Sequence, residues 1–261
     1  MEMWHTVGLG ALAGFTIYLG LPVARLKQKT AHFQSLLTAL ALGVLLFLVW
    51  DILSKALEPV EDAVKSGART GQWGQFAVLV TMLVMGLAVG LVGLVAFDAK
   101  AMRRAGSDAR LPRQMALMIA TGLGLHNFSE GLAIGQAAAQ GAISFAVILV
   151  VGFGLHNITE GFAVAAPLSA AREGPSWPFL GLLGLIGGGP TFAGTLLGYH
   201  VTVLPASVLF LALAAGALIY IVGEMFSVGR RLGAQIWMAS GITAGFLIAF
   251  GTDLILTLAG V

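Results

Sequence analysis

The sequence predicts an all-α integral membrane protein, a bundle of eight transmembrane helices in one domain over residues 1–261. Three observations carry this. The chain is 58% hydrophobic. Only 10% of it is charged, against about 25% in soluble domains, which leaves too little polar surface to cover a globule in water. The apolar residues also fall in eight runs, roughly 4–24, 32–53, 75–98, 114–138, 142–168, 178–199, 206–228 and 235–259. Each is near the length of about 20 residues that crosses a hydrocarbon core as a helix. The lipid bilayer is therefore part of the solvent. Backbone groups in lipid must bond within the protein, which admits helices or closed barrels, and these runs lack the alternation of barrel strands.

The first run is apolar from Trp4 onward, with no basic stretch before it and no A-x-A site after a short apolar core. It is expected to be a retained span rather than a removable signal. The basic residues then orient the bundle. Arg25, Lys27, Lys29, Lys100, Arg103, Arg104, Arg110, Arg113, Arg172, Arg230 and Arg231 fall on one side, and Lys55, Lys65 and Arg69 on the other. The positive-inside rule puts the larger group in the cytoplasm. Both termini are then extracytoplasmic, as an even number of spans requires, and the expected location is the cell (inner) membrane. The segment from 54 to 75, with Glu58, Pro59, Glu61 and Asp62, is expected to be an external loop. The net charge of +2 is small and its basic residues sit in short clusters between apolar runs, so nucleic acid is not an expected partner. With no cysteine in the chain, disulfides and thiolate metal sites are excluded.

The fourth run reads Leu125-His126-Asn127-Phe128-Ser129-Glu130-Gly131, and the fifth reads Leu155-His156-Asn157-Ile158-Thr159-Glu160-Gly161. The pattern L-H-N-x-x-E-G thus occurs twice, and Asn127 and Asn157 are the only asparagines in the chain. His and Glu at i and i+4 share a helix face, with Asn beside them. Each helix offers an imidazole, a carboxylate and an amide oxygen to one region. That mixture suits first-row divalent metals better than calcium or magnesium, which take oxygen ligands. His126 and His156 lie about 18–21 Å from the starts of their runs at 1.5 Å per residue, close to the bilayer middle. A Glu there costs about 2.5–3.5 kcal/mol on insertion scales, and two of them are neutralised by one divalent ion. A proton relay, or a His–Glu pair kept for packing, competes with this reading, but neither accounts for the doubled asparagine. N-F-S and N-I-T also match the glycosylation sequon, which burial in the membrane makes unusable. Gly131 and Gly161 are read as positions of close helix packing.

On these residues the chain resembles the ZIP (Zrt/Irt-like protein) family of metal transporters, in particular its short prokaryotic, GufA-like members. The paired H-N-x-x-E-G carries the resemblance. Gly189-Pro190 in the sixth run, and Ala214-Ala215-Gly216 leading to Glu224 in the seventh, are weaker matches. The resemblance implies an inverted-repeat bundle whose metal site lies between the fourth and fifth spans, built from His126, Glu130, His156 and Glu160. It implies an adjacent second site using Asn127, Asn157 and the two glutamates, movement toward the cytoplasm, and a homodimer.

Three features depart from the family pattern. Ser129 and Thr159 stand where the family usually has proline. Such residues can bend a helix by bonding back to the i−4 carbonyl, rather than by removing an N–H. Gly189 stands where the family often has a carboxylate, so one tightly held ion is expected at the centre, with Gly189→Glu expected to strengthen a second. The long His-rich cytoplasmic loop of some members is missing.

Other intramembrane polar groups are less determined. Asp51 is a candidate entrance residue or a helix-end carboxylate. Asp98 and Glu224 are candidates for an exit relay, with the resemblance favouring Glu224. Asp253 is deep in the last run without an evident partner. His5, His32 and His200 fall near run ends and are read as interfacial, and the methionines as packing residues.

The expected function is transport of a divalent transition-metal ion through a single transmembrane transport domain, with no enzymatic activity and no prosthetic group. Zn²⁺ is the first choice, then Fe²⁺ and Mn²⁺, with Cd²⁺ as a surrogate. An intramembrane metalloenzyme, such as a hydrolase, is the alternative, although H-E-x-x-H is missing and no nucleophile stands out. A metal-sensing membrane protein is a third reading, without the soluble output domain that a sensor normally needs.

Overall fold

A computed structural model describes residues 2–26, 31–105, 112–170, 174–200, 203–231 and 235–258. Lys27, Lys29, Arg110 and Arg172, four of the residues used to orient the bundle, lie outside the described residues. Helix accounts for nearly all of the rest. The first run forms α1 (Met3–Phe15), a short α2 (Ile17–Gly20) and a 3₁₀ turn at Leu21–Arg25. The break falls at Thr16, whose hydroxyl lies 2.7 Å from the Ala13 carbonyl and 2.6 Å from that of Gly154. The remaining helices are α3 (Ala31–Thr70), α4 (Gly74–Ala105), α5 (Pro112–Ala139), α6 (Ile143–Ala165), α7 (Trp177–His200), α8 (Leu204–Arg231) and α9 (Gln235–Leu258). A second 3₁₀ turn, Ala166–Ala170, prolongs α6.

Among the described residues, seven helical stretches are long and apolar enough to cross a membrane. α5 does not reach that apolarity, because His126, Asn127, Ser129, Glu130 and Gln136 interrupt it. Its 28 residues are nevertheless about 42 Å long, and it lies inside the bundle. Of its residues, Ile119, Leu123, Asn127, Glu130 and Ile134 are all buried.

The segment expected to be an external loop is instead helix as far as Thr70. α3 has 40 residues, about 60 Å, twice a hydrocarbon core of about 30 Å. Beyond Lys55 the apolar residues fall at helical spacing, so Ala56, Val60 and Ala63 face one way. They pack against Leu79 and Leu83 of α4 and Val208 and Ala212 of α8. The chain reverses at Gly71, whose φ of +75° only glycine adopts without strain.

α5 packs along α7, and α6 along α1 and α2; outside them α4 packs along α8, and α9 along α3. α5 and α6 also touch each other, so the two motif-bearing helices are central. α2 and α6 cross closely at a pair of glycines. A side chain at Gly161 would overlap the Ile17 carbonyl oxygen, and one at Gly20 the Ile158 carbonyl.

Candidate metal site

Both motifs occupy the middle of their helices. His126 is about 21 Å from the start of α5 and His156 about 20 Å from the start of α6. Ser129 and Thr159 each donate a hydroxyl hydrogen to the backbone carbonyl three residues back, His126 and His156, at 2.6 Å in both cases. The acceptor is thus the i−3 carbonyl rather than the expected i−4 one, and neither helix is broken.

The candidate ligands are almost dry. His126 and His156 are each 4% exposed, Glu130 5%, and Asn127, Asn157 and Glu160 0%. One ligand atom from each of His126, His156 and Glu160 lies within 4.8 Å of the others, close enough to share one ion. Glu130 flanks this group, its Oε1 3.3 Å from His126 Nε2; Glu160 Oε1 is 3.8 Å from the same nitrogen. The two imidazole rings are 6.2 Å apart, and Phe47 of α3 sits 6.4 Å from the His156 ring.

The asparagines tie the helices together. Asn127 Nδ2 donates toward Asn157 Oδ1 at 2.7 Å, Glu160 Oε2 at 2.8 Å and the Gly187 carbonyl of α7 at 3.0 Å. Three acceptors around one NH₂ fix the amide orientation, and the Asn127 oxygen is left turned the other way. Asn157 Nδ2 donates to the Ala13 carbonyl of α1 at 3.1 Å. The doubled asparagine therefore has a structural task, with four helices meeting at these two amides.

Among the described residues, eight buried side-chain nitrogen or oxygen atoms have no hydrogen-bond partner, and six of them are here. They are His126 Nδ1 and Nε2, Asn127 Oδ1, Glu130 Oε2, His156 Nε2 and Glu160 Oε1. An unsatisfied buried polar atom costs about 1–3 kcal/mol. They are concentrated on imidazole, carboxylate and amide, atom types of which one divalent ion engages several at once.

A cavity of about 370 Å³ reaches His126 and Glu130 past Asp51, Lys55, Gln136 and Asp253. Asp51, the candidate entrance residue, lines this cavity. Asp253 shares the same cavity, which its sequence context did not indicate. Lys55 was missed as well; its only sequence signal is its place four residues after Asp51, one helical turn on. Toward the end of the bundle bearing Arg25 and Arg113 the site is closed by side chains. Leu21, Ile119, Leu123, Val164, Leu168 and Leu183 are all at most 1% exposed. Arg25 seals that end further, donating to the Pro175 carbonyl at 2.6 Å and stacking 4.8 Å above Trp177.

The remaining expectations fare unevenly. Asp98 is buried and accepts a hydrogen bond from Tyr220 of α8 at 2.7 Å. Glu224, also on α8, is half-buried. His5, His32 and His200 are exposed at helix ends. A side chain added at Gly189 would meet only Leu185 of its own helix, itself 55% exposed. Gly189 is therefore not placed to deliver a carboxylate to the centre, and Gly189→Glu is now expected to leave ion occupancy there unchanged.

The family model of the ZIP zinc transporter matches residues 98–250, more than half of the chain, from the end of α4 into α9. All six candidate ligand residues fall within the match. No curated protein matches the chain.

Proposed function

Because the chain belongs to the ZIP zinc transporter family, whose members are transporters and not enzymes, we propose that it carries Zn²⁺ across the cell membrane into the cytoplasm. Fe²⁺, Mn²⁺ and Cd²⁺ are the further candidate cargoes. The observation that carries this reading is the dry group of His126, His156 and Glu160 at mid-helix, rich in unpartnered ligand atoms and reached by a cavity from one side. Glu130, facing the cavity, completes the primary site, and the unpartnered Asn127 oxygen is a further candidate ligand. Two carboxylates balance one divalent ion. A second ion would leave an excess of +2 in a low-dielectric site, so the centre holds one ion tightly.

In this proposal α5 crosses the membrane as the fourth of eight spans, because its polar residues face protein rather than lipid. Residues 1–261 form one transport domain with both ends extracytoplasmic. The matched packing of α5 on α7 with α6 on α1–α2, and of α4 on α8 with α9 on α3, supports an inverted repeat. Homodimer assembly rests on the family resemblance alone. With the charge-based orientation, the cavity opens outward and the apolar plug faces the cytoplasm. Import then requires the Leu21, Leu168 and Leu183 region to separate.

Flux into sealed proteoliposomes, run across a panel of divalent metals, tests the proposal. Uptake of Zn²⁺ above protein-free vesicles is the expected result; binding without flux for every metal would refute transport. A pH series adds a second check. Protons and metal compete for the imidazole nitrogens. Affinity is therefore expected to fall as pH is lowered, because only the neutral imidazole binds metal. Titration calorimetry in detergent measures this, and an affinity flat from about pH 5 to 8 would argue against imidazole ligation.

A further inference from the structure

Lys55 places a positive charge in the passage that a cation is to use. Its Nζ lies 2.7 Å from Asp51 Oδ2, with the Asp51 side chain 10% exposed and that of Lys55 48%. The ammonium is thus the wetter partner of a nearly buried carboxylate. Asp253, on α9, lies within electrostatic reach of both groups. All three line the cavity that ends at His126 and Glu130. A fixed ammonium repels a divalent ion in such a vestibule, so attraction of metal alone does not explain a lysine here. Without it, two carboxylates would face an open cavity and would attract any cation.

Resting on the transport reading above, we propose that Lys55 is a specificity-determining residue: a tethered ammonium that holds Asp51 against monovalent cations and yields it to divalent ones. The tether supplies the discrimination. Lys55 is one helical turn from Asp51, so its ammonium competes as an intramolecular partner at high effective concentration. A free Na⁺ or K⁺ brings the same single charge without that advantage. A divalent ion brings twice the charge and interacts with Asp51 and Asp253 together, so it displaces the ammonium toward solvent, where half of the side chain already lies. The exchange moves no proton and needs no other reactant.

The test uses the full chain. In proteoliposomes at low ionic strength, Lys55→Met is expected to lower the KM for Zn²⁺ at least about threefold, by removing the competing charge. Adding K⁺ to about 150 mM, where the Debye length is near 8 Å, is expected to raise the KM of Lys55→Met severalfold more than that of the wild type. Lys55→Arg is expected to restore the wild-type response. A KM that is unchanged or raised in Lys55→Met, or equal K⁺ sensitivity in the two proteins, would overturn the proposal. A readout independent of flux is acylation of Lys55 by a water-soluble amine-reactive ester, quantified by mass spectrometry in detergent. Labelling is expected to rise with Cd²⁺ and not with K⁺ at matched ionic strength; labelling that ignores Cd²⁺ would overturn the proposal. If labelling responds to Cd²⁺ while the wild type carries no metal, the transport reading fails and the divalent-selective entrance stands.

Discussion

Glu130→Gln and Glu160→Gln are each expected to lower metal uptake by at least about 100-fold, beyond what loss of a mere supporting contact costs, while leaving the protein folded. Glu160 is 0% exposed and one of its oxygens accepts from Asn127 at 2.8 Å. The amide oxygen of Gln can keep that hydrogen bond, so the substitution removes the charge with little change to the packing. Glu160→Ala is the harsher variant. It strips an acceptor from Asn127, at about 1–3 kcal/mol for a buried donor left short, and would confound stability with function. Glu130 has one oxygen 3.3 Å from His126 and the other unpartnered. Its Gln variant should therefore cost less stability than Glu160→Ala. Uptake by reconstituted variants, alongside their size-exclusion profiles, is the measurement. A well-folded Gln variant with near-normal flux would remove that carboxylate from the site.

Gly161→Val is expected to destabilise the bundle by at least the upper end of the about 1–3 kcal/mol typical of overpacking. The new Cβ would overlap the Ile17 carbonyl oxygen, and the Gly20 backbone lies immediately beside it. Backbone stands on both sides of the contact, so no side chain can rotate away. The crossing also sets the distance at which Asn157 reaches the Ala13 carbonyl, 3.1 Å, so a wedge there pulls α6 away from α1. A drop in the thermal midpoint of the detergent-solubilised protein, with loss of the monodisperse peak, is expected. A Gly161→Val protein as stable as the wild type would mean that this close crossing is not required.

Much of this architecture was legible in the residues. The eight apolar runs coincide with the helices to within a few residues, apart from the extensions of α3 and α4, and the doubled H-N-x-x-E-G marked the two central helices. α5 shows the limit of hydropathy, because the residues that make it the site also lower its apolarity. The helical extension of α3 was obscured by Glu58, Glu61, Asp62, Lys65 and Arg69, whose charge reads as loop. The spacing of Ala56, Val60 and Ala63 held the contrary signal. Sequence spacing gave the asparagines' helix face but not their bonding. The acceptors at Ala13 and Gly187 are backbone carbonyls from distant helices, and no side-chain pattern announces a carbonyl. For the same reason Asp253 found its neighbours only when α9 was laid along α3, and Gly189 proved to face Leu185 rather than the centre.

In the proposed site one divalent ion is held by His126, His156 and Glu160, with Glu130 at its cavity side. Anomalous diffraction from crystals soaked in Cd²⁺ or Zn²⁺ tests it most directly, because it locates and counts ions without reference to flux. A single strong peak per protomer is expected, about 2.0–2.3 Å from an imidazole nitrogen of His126, one of His156 and a carboxylate oxygen of Glu160. Two fully occupied central peaks, or a peak elsewhere with none between α5 and α6, would contradict it.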